Sequence, residues 1–323
     1  MVDVVRGWKT IVPLVVAVIS AGITACGRDE HSPATVFTVR MLTARTLSGH
    51  WERAAERGLG RIGSELDADI ARIRIDDPSS DRARLVELAK AGASLVFCVG
   101  GYSETTLYSV ATAYPKTVFV QLPGRVHAEN VAGIRFLPEE AGYLAGAVAG
   151  ALTPDGRLGL LHGEGQPWLE PLEEGFVAGF KSRWRRPEIA TGEGSEGVWE
   201  LSSAGVLVSL YAADRADPEV LAAAHNAGVQ LIATDPELIE SEDGTVVAAV
   251  DVDVAEAMLR VAREVYDGTF TGRVFAFDLG SGVLDVVVNP ELAPDALAVA
   301  SEALEEARAE ITAGLVEFDG LGL

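Results

Sequence analysis

The chain has 323 residues and a formal net charge of −22, with 48 acidic against 26 basic side chains. An acidic surface repels phosphate backbones and anionic lipid alike, which argues against nucleic acid as a partner and against a polybasic route to a membrane. The histidines His31, His50, His127, His162 and His225 lie far apart with no HExxH or CxxC spacing, so no metal or cofactor is expected.

At the N-terminus, Arg6 and Lys9 precede an apolar run from Ile11 to Ala25 that ends in Ile23-Thr24-Ala25-Cys26. The run falls short of the roughly 20 apolar residues that span a bilayer, and small residues lie beside the cysteine. Residues 1–25 therefore read as a lipoprotein signal. Lipidated Cys26 becomes the new N-terminus, anchored in the cell membrane by acyl chains of palmitate type, and the mature protein lies outside the cytoplasm. The alternative is a buried cysteine in a hydrophobic helix. Residues 26–35 read as a tether. With Cys26 consumed, Cys98 alone forms no internal disulfide, and its apolar setting from Ser94 to Val99 marks it as a packing residue.

Beyond the tether, short runs rich in Val, Ile and Leu alternate with longer amphipathic stretches. Val36 to Leu42 reads as a strand, Trp51 to Leu66 as a helix, Ile70 to Ile75 as a strand and Asp81 to Lys90 as a helix. Leu95 to Val99, Thr105 to Tyr114 and Thr117 to Gln121 continue the series. After Asn130 it restarts, with Val131 to Phe136 extended and Pro138 to Leu152 helical, Pro138 and the acidic Glu139 and Glu140 marking the helix start. A second series follows at Leu158 to Leu161, Glu170 to Trp184, Val206 to Tyr211, Glu219 to Ala227, Leu231 to Thr234 and Val246 to Val250. Val254 to Tyr266, Val283 to Val288 and Asp295 to Ala313 close it as helix, strand and acidic helix. Continuous apolar strands separated by helices imply an α/β fold of parallel sheets covered on both faces, and two series imply two lobes.

Pro187 to Leu201 breaks the rhythm and holds Gly192-Glu193-Gly194-Ser195-Glu196-Gly197, a formal GxGxxG. Its two glutamates repel phosphate and no clear helix follows, so a mobile surface loop is expected rather than a dinucleotide site. The dense basic cluster Lys181, Arg183, Arg185 and Arg186 reads as a solvated helix end. No GxSxG elbow occurs, and no catalytic residue is expected.

The segment Asn130-Val131-Ala132-Gly133-Ile134, followed by Glu139-Glu140-Ala141-Gly142-Tyr143-Leu144-Ala145-Gly146-Ala147-Val148-Ala149, closely resembles the basic membrane protein (BMP, PnrA-like) family. Its members are substrate-binding lipoproteins of ABC transporters. Gly100-Gly101-Tyr102 is similar to the family's Gly-aromatic loop, Tyr114-Pro115 to the entry of its fourth strand, Gly175-Phe176-Val177-Ala178-Gly179-Phe180 to its GF-x-aG helix and Ile311-Thr312-Ala313-Gly314 to its I-x-x-G close. The resemblance implies a type 1 periplasmic-binding-protein-like architecture, two doubly wound lobes with a ligand cleft between them. Residues 36–134 with 252–282 would form one lobe and residues 135–251 with 283–323 the other. It further implies a small-molecule ligand, an ABC permease and ATPase as partners, and a monomer.

On the same template the family's nucleoside-binding D-x-SFN signature falls on Ser48-Gly49-His50-Trp51-Glu52. Ser48 stands for the Asp, His50 for the Ser, Trp51 for the Phe and Glu52 for the Asn. Trp51 is either a stacking platform for a ligand or a core residue that packs its helix on the sheet. The family's strand-end acid is replaced by Pro123, its Ser and Lys near the hinge by Ala249 and Val252, and its second-lobe Phe by Leu172, with Trp168 nearby as a substitute ring. Asp235 is retained, as an acceptor for ribose-like hydroxyls or an amine, or as a turn residue ahead of Pro236. The ligand set implied is Ser48, Trp51, Glu52, Gly101, Tyr102, Trp168 and Asp235. Three readings stand at this point: a solute receptor for a small polar, nucleoside-like ligand, a surface-tethered sensor with a degenerate cleft, and an extracytoplasmic enzyme.

Overall fold

The computed structural model describes residues 36–44, 49–75, 77–163, 169–213, 215–240 and 244–318. The expected lipidation site Cys26 and the segment 26–35 expected to be a tether lie outside them. The chain from Val36 to Leu323 clusters as a unit by itself, and the described residues in it carry two six-stranded sheets with helices on both faces.

The first sheet is built from β1 (Thr38–Ala44), β2 (Asp69–Ile75), β3 (Leu95–Val99), β4 (Val118–Leu122), β5 (Val131–Phe136) and β11 (Val274–Phe277), in the order β11-β5-β4-β3-β1-β2. The helices between them are α1 (Gly49–Glu65), α2 (Asp81–Lys90) and α3 (Glu104–Ala113). The second sheet holds β6 (Arg157–His162), β7 (Glu188–Glu193), β8 (Val208–Ala212), β9 (Gln230–Ala233), β10 (Val246–Val252) and β12 (Leu284–Val288), in the order β12-β10-β9-β8-β6-β7. Its helices are α4 (Pro138–Leu152), α5 (Leu169–Arg183), α6 (Gly194–Ser203), α7 (Pro218–Ala227) and α9 (Pro294–Thr312), while α8 (Val254–Tyr266) packs on α1 of the first lobe. Every strand pair is parallel except β10 with β12. This is the doubly wound α/β arrangement expected from strands buried on both faces, such as β3, whose five residues are all buried.

Two elements differ from expectation. The segment from Pro187 is not a loop but strand β7 followed by helix α6, and the GxGxxG run is their junction. As an edge strand, β7 keeps most of its side chains out of the core, so the apolar run that marks interior strands is missing. Gly192 and Gly197 abut, and a Cβ on Gly192 would lie 2.7 Å from the Gly197 backbone. These glycines bring helix and strand together and need no phosphate to explain them. Strand β11 also escaped the pattern, because it has four residues and buries only alternate ones.

Among the described residues, helices α4 and α5 pack in close contact. Ala141 through Gly150 of α4 are all buried. Gly142 and Gly146 face the carbonyls of Leu172 and Phe176, and Gly175 and Gly179 face those of Glu139 and Tyr143. A Cβ at any of the four would lie between 1.9 and 2.2 Å from the carbonyl oxygen it faces. The two backbones therefore touch, which side chains larger than hydrogen would prevent.

The chain passes between the sheets three times, from β5 to α4, from β10 to α8 and from β11 to β12. These crossings are tied to each other. The Leu137 amide donates to the Phe277 carbonyl at 3.0 Å and the Asp253 amide to the Val283 carbonyl at 2.7 Å. The Leu279 amide donates to the Glu140 carboxylate at 2.7 Å.

Urea denaturation of residues 36–323 tests the helix contact. Gly179→Ala should lower the unfolding free energy by about 3 kcal/mol, because the helices must separate. Gly60→Ala, at a helical position on α1 with open space around it, should raise it by about 1 kcal/mol.

Candidate functional site

In parallel α/β sheets ligands lie outside the carboxyl ends of the strands. Here α1, which follows β1 of the first sheet, meets the turn after β9 of the second. The two sets of strand ends thus face one another next to the crossings.

Four predicted residues belong to the first lobe's described part. Trp51 is buried at 6% exposure. Its ring meets Phe136 edge-on at 5.4 Å, Phe136 stacks on Phe277 at 6.0 Å, and the Arg260 guanidinium lies 6.0 Å from the Phe277 centroid. Because Phe136 ends β5 and Phe277 ends β11, Trp51 packs into the base of the crossings. Glu52, its neighbour, turns the other way. It is ion-paired with Arg72 and, at 3.1 Å, with Arg74, both on edge strand β2. Gly101 is exposed at the end of β3, whereas the Tyr102 ring enters the apolar layer that holds Cys98, Leu85 and Leu107. Gln121 donates to the Tyr102 carbonyl at 3.2 Å. Burial pushes the Tyr102 hydroxyl and the Cys98 thiol well above their ordinary pKa values, with Asp81 adding to both. Ser48 and Trp168 lie outside the described residues. Leu172, at the family's Phe position, is wholly buried within α5.

Asp235 follows β9 and is 6% exposed. One carboxylate oxygen accepts the Glu237 amide at 3.1 Å, the turn expected ahead of Pro236. The other accepts from Arg53 of α1 at 3.1 Å. Arg53 also pairs with Glu237 at 2.7 Å, and Arg57, one turn on, pairs with Glu237 at 3.0 Å. The hydrogen bond from Arg53 holds the Glu237 carboxyl below its usual range, and the same bond raises Arg53. Nearby, burial raises Asp251 at the end of β10, with Asp253 and Asp285 adding to the effect and Arg57 opposing it. At the end of β6, His162 Nε2 lies 3.1 Å from Glu173 of α5.

The structure thus brings Asp235 against α1 and separates Trp51, Glu52 and Tyr102 into three different surroundings. Arg53, Arg57 and Glu237 were not anticipated. The spacing of Arg53, Arg57 and Arg61 at every fourth residue of one helix is the signal that could have found them. Among the described residues no group of three or more His, Cys, Asp or Glu could hold a metal ion.

A family model described as ABC transporter substrate-binding protein PnrA-like, Bmp, matches residues 48–311. The chain belongs to the Bmp family. Bmp is a family of substrate-binding proteins and not an enzyme class. The Bacillus subtilis protein called transcriptional activator protein med is 22% identical over 277 residues, covering 82% of this chain and 86% of its own. A transcriptional activator of the comK gene from Bacillus halodurans superposes with a TM-score of 0.74 at 24% identity, over 87% of this chain and 99% of its own. An ABC transporter solute-binding protein from Aeropyrum pernix K1 does so with a TM-score of 0.70 at 17% identity, over 89% and 94%. These likenesses establish the type 1 periplasmic-binding-protein-like fold of this Bmp chain.

Two outcomes follow from the packing. Trp51→Ala in residues 36–323 should cost about 3 kcal/mol in urea denaturation, as expected for a ring lost from a core. Cys98 should resist a thiol reagent such as DTNB in the native chain and react fully once urea unfolds it.

Proposed function

We propose that this Bmp chain is a lipid-anchored, extracytoplasmic receptor that presents a small polar, nucleoside-like solute to an ABC permease and its ATPase. The observation that carries the reading is Asp235. It is a buried carboxylate at the carboxyl end of a second-lobe strand, opposite α1 of the first lobe, and such a group accepts hydrogen bonds from hydroxyls or an amine. The lobes would close on the solute by bending at the three crossings, and the closed form would be read by the permease. Gly101, exposed at the end of β3, would then lie on the first-lobe wall, Trp51 and Tyr102 would support it from the apolar layers behind, and Ser48 and Trp168 would come from segments outside the described residues. Anchoring through Cys26 agrees with the sequence, and among the described residues no helix is long and apolar enough to cross a membrane. Transport needs no catalytic residue here, since the ATPase supplies the energy.

A second reading keeps the fold and drops transport. It makes the chain a surface-tethered sensor, and one observation favours it: Asp235 and Glu52 are both engaged by arginines of the chain itself. The Bacillus subtilis relative, called a transcriptional activator, supports it as well.

A thermal-shift screen of residues 36–323 against nucleosides, nucleobases, sugars, amino acids and aromatic vitamins decides between them. A solute at a hundredfold excess over its dissociation constant stabilises the native state by about 2.7 kcal/mol, a readily measured rise in Tm. A small polar hit is the expected result, and silence across the library would sink the transport reading in favour of the sensor.

A further inference from the structure

The contact between α1 and the turn after β9 joins the two lobes through charge. Arg53 supplies one nitrogen to both Asp235, at 3.1 Å, and Glu237, at 2.7 Å, and Arg57 braces Glu237 from the next turn of the helix at 3.0 Å. The Asp235 side chain is only 8% exposed. One of its oxygens is committed to the Glu237 amide and the other to Arg53. A solute group that approaches Asp235 therefore meets a guanidinium already in place.

The surroundings decide what could replace it. With Arg53 withdrawn, Asp235 and Glu237 would stand together on the turn after β9. Nearby Asp251 already has Asp253 and Asp285 for neighbours, with Arg57 the opposing positive charge. A neutral hydroxyl would leave these carboxylates one positive charge short, and bringing like charges together in a half-buried site is unfavourable. A guanidine, amidine or amine restores both the charge and the N–H donors.

We infer that Asp235 and Glu237 form a cation site that Arg53 fills from within, latching the lobes together, and that a solute with a cationic nitrogen head enters by displacing Arg53. The solute part of this inference rests on the proposed role of Asp235 as a cleft acceptor, and it narrows the nucleoside-like class to solutes that carry such a head. Arg53 is then a gate and a specificity determinant at once. The apparent affinity for solute is reduced by the fraction of chains in which the latch is shut.

Small-angle scattering on residues 36–323 reads the latch directly, since lobe opening raises the radius of gyration. In about 0.05 M salt Arg53→Ala should be more open than the wild type, and the wild type should approach it at about 1 M salt, where charges are screened beyond about 3 Å. Millimolar methylguanidinium should raise the Tm of Arg53→Ala, while sodium and tetramethylammonium at equal ionic strength should not, because neither carries an N–H donor. A cooperative melt also shows that the variant is folded. In wild type and variant, methylguanidinium should bind the variant more tightly by about tenfold or more, as expected if the latch is shut in about nine chains of ten. Equal radii for Arg53→Ala and wild type at both salt concentrations would overturn the latch. A Tm rise with tetramethylammonium as large as with methylguanidinium, or with neither, would overturn the cation site. None of these readouts uses the natural solute, so a silent solute screen counts against the receptor reading and leaves the latch to stand or fall here.

Discussion

The backbone contact between α4 and α5 is the constraint on which the second lobe depends. Helix α4 leaves the first crossing directly, and its small-residue face lets α5 approach until carbonyl oxygens meet Cα hydrogens. Two helices so close cannot slide past one another without a clash along the whole row of glycines. On the other side α4 packs against α9 and β10 and β12. The position of the second sheet relative to the crossings is therefore set by a buried helix that has almost no freedom to shift.

That contact also explains which residues make the chain recognisable. The run from Glu139 to Ala149 and the GF-x-aG run at Gly175 are the two halves of one interface. Asn130, which opens the motif before β5, donates to the carbonyls of Ala111, Tyr114 and Thr117 at 3.0, 3.2 and 2.8 Å and so ties down the end of α3. The motifs that mark the family are devices of folding. Asp235 and the other positions proposed to meet a solute lie elsewhere, beyond the ends of the strands.

This division accounts for what could be read in advance. Val131–Phe136, Pro138–Leu152 and Asp81–Lys90 fall where their patterns place them, because strands and helices buried in a doubly wound fold carry continuous or periodic apolar signals. Strand β7 lies at an edge and β11 is four residues long, so neither carries enough of that signal. The turn at Asp235 was legible from its place at a strand end before proline. Its partner was not, since Arg53 lies 182 residues away in sequence and only the tertiary fold brings the two together. Glu52 and Trp51, adjacent in the chain, meet different surroundings from α1, β2 for one and the core for the other, a division that a loop signature read as a linear string does not reveal. The apolar side of α1 carries Trp51, Ala55, Leu59 and Ile62 into the core. Its other side carries Arg53, Arg57 and Arg61 interleaved with Glu52, Glu56 and Glu65.

The lateral hydrogen bonds among the crossings carry a mechanical consequence. Three independent linkers would let the lobes bend, shear and twist separately. Here the first crossing is bonded to the third through Leu137 with Phe277 and Glu140 with Leu279, and the second to the third through Asp253 with Val283. Any change of backbone angle in one must be matched in the others or break a bond. The joint is thereby reduced toward a single rotational degree of freedom, with the axis running through the bonded segments, so a small angular change at the base becomes a larger linear displacement at α1 and the turn after β9.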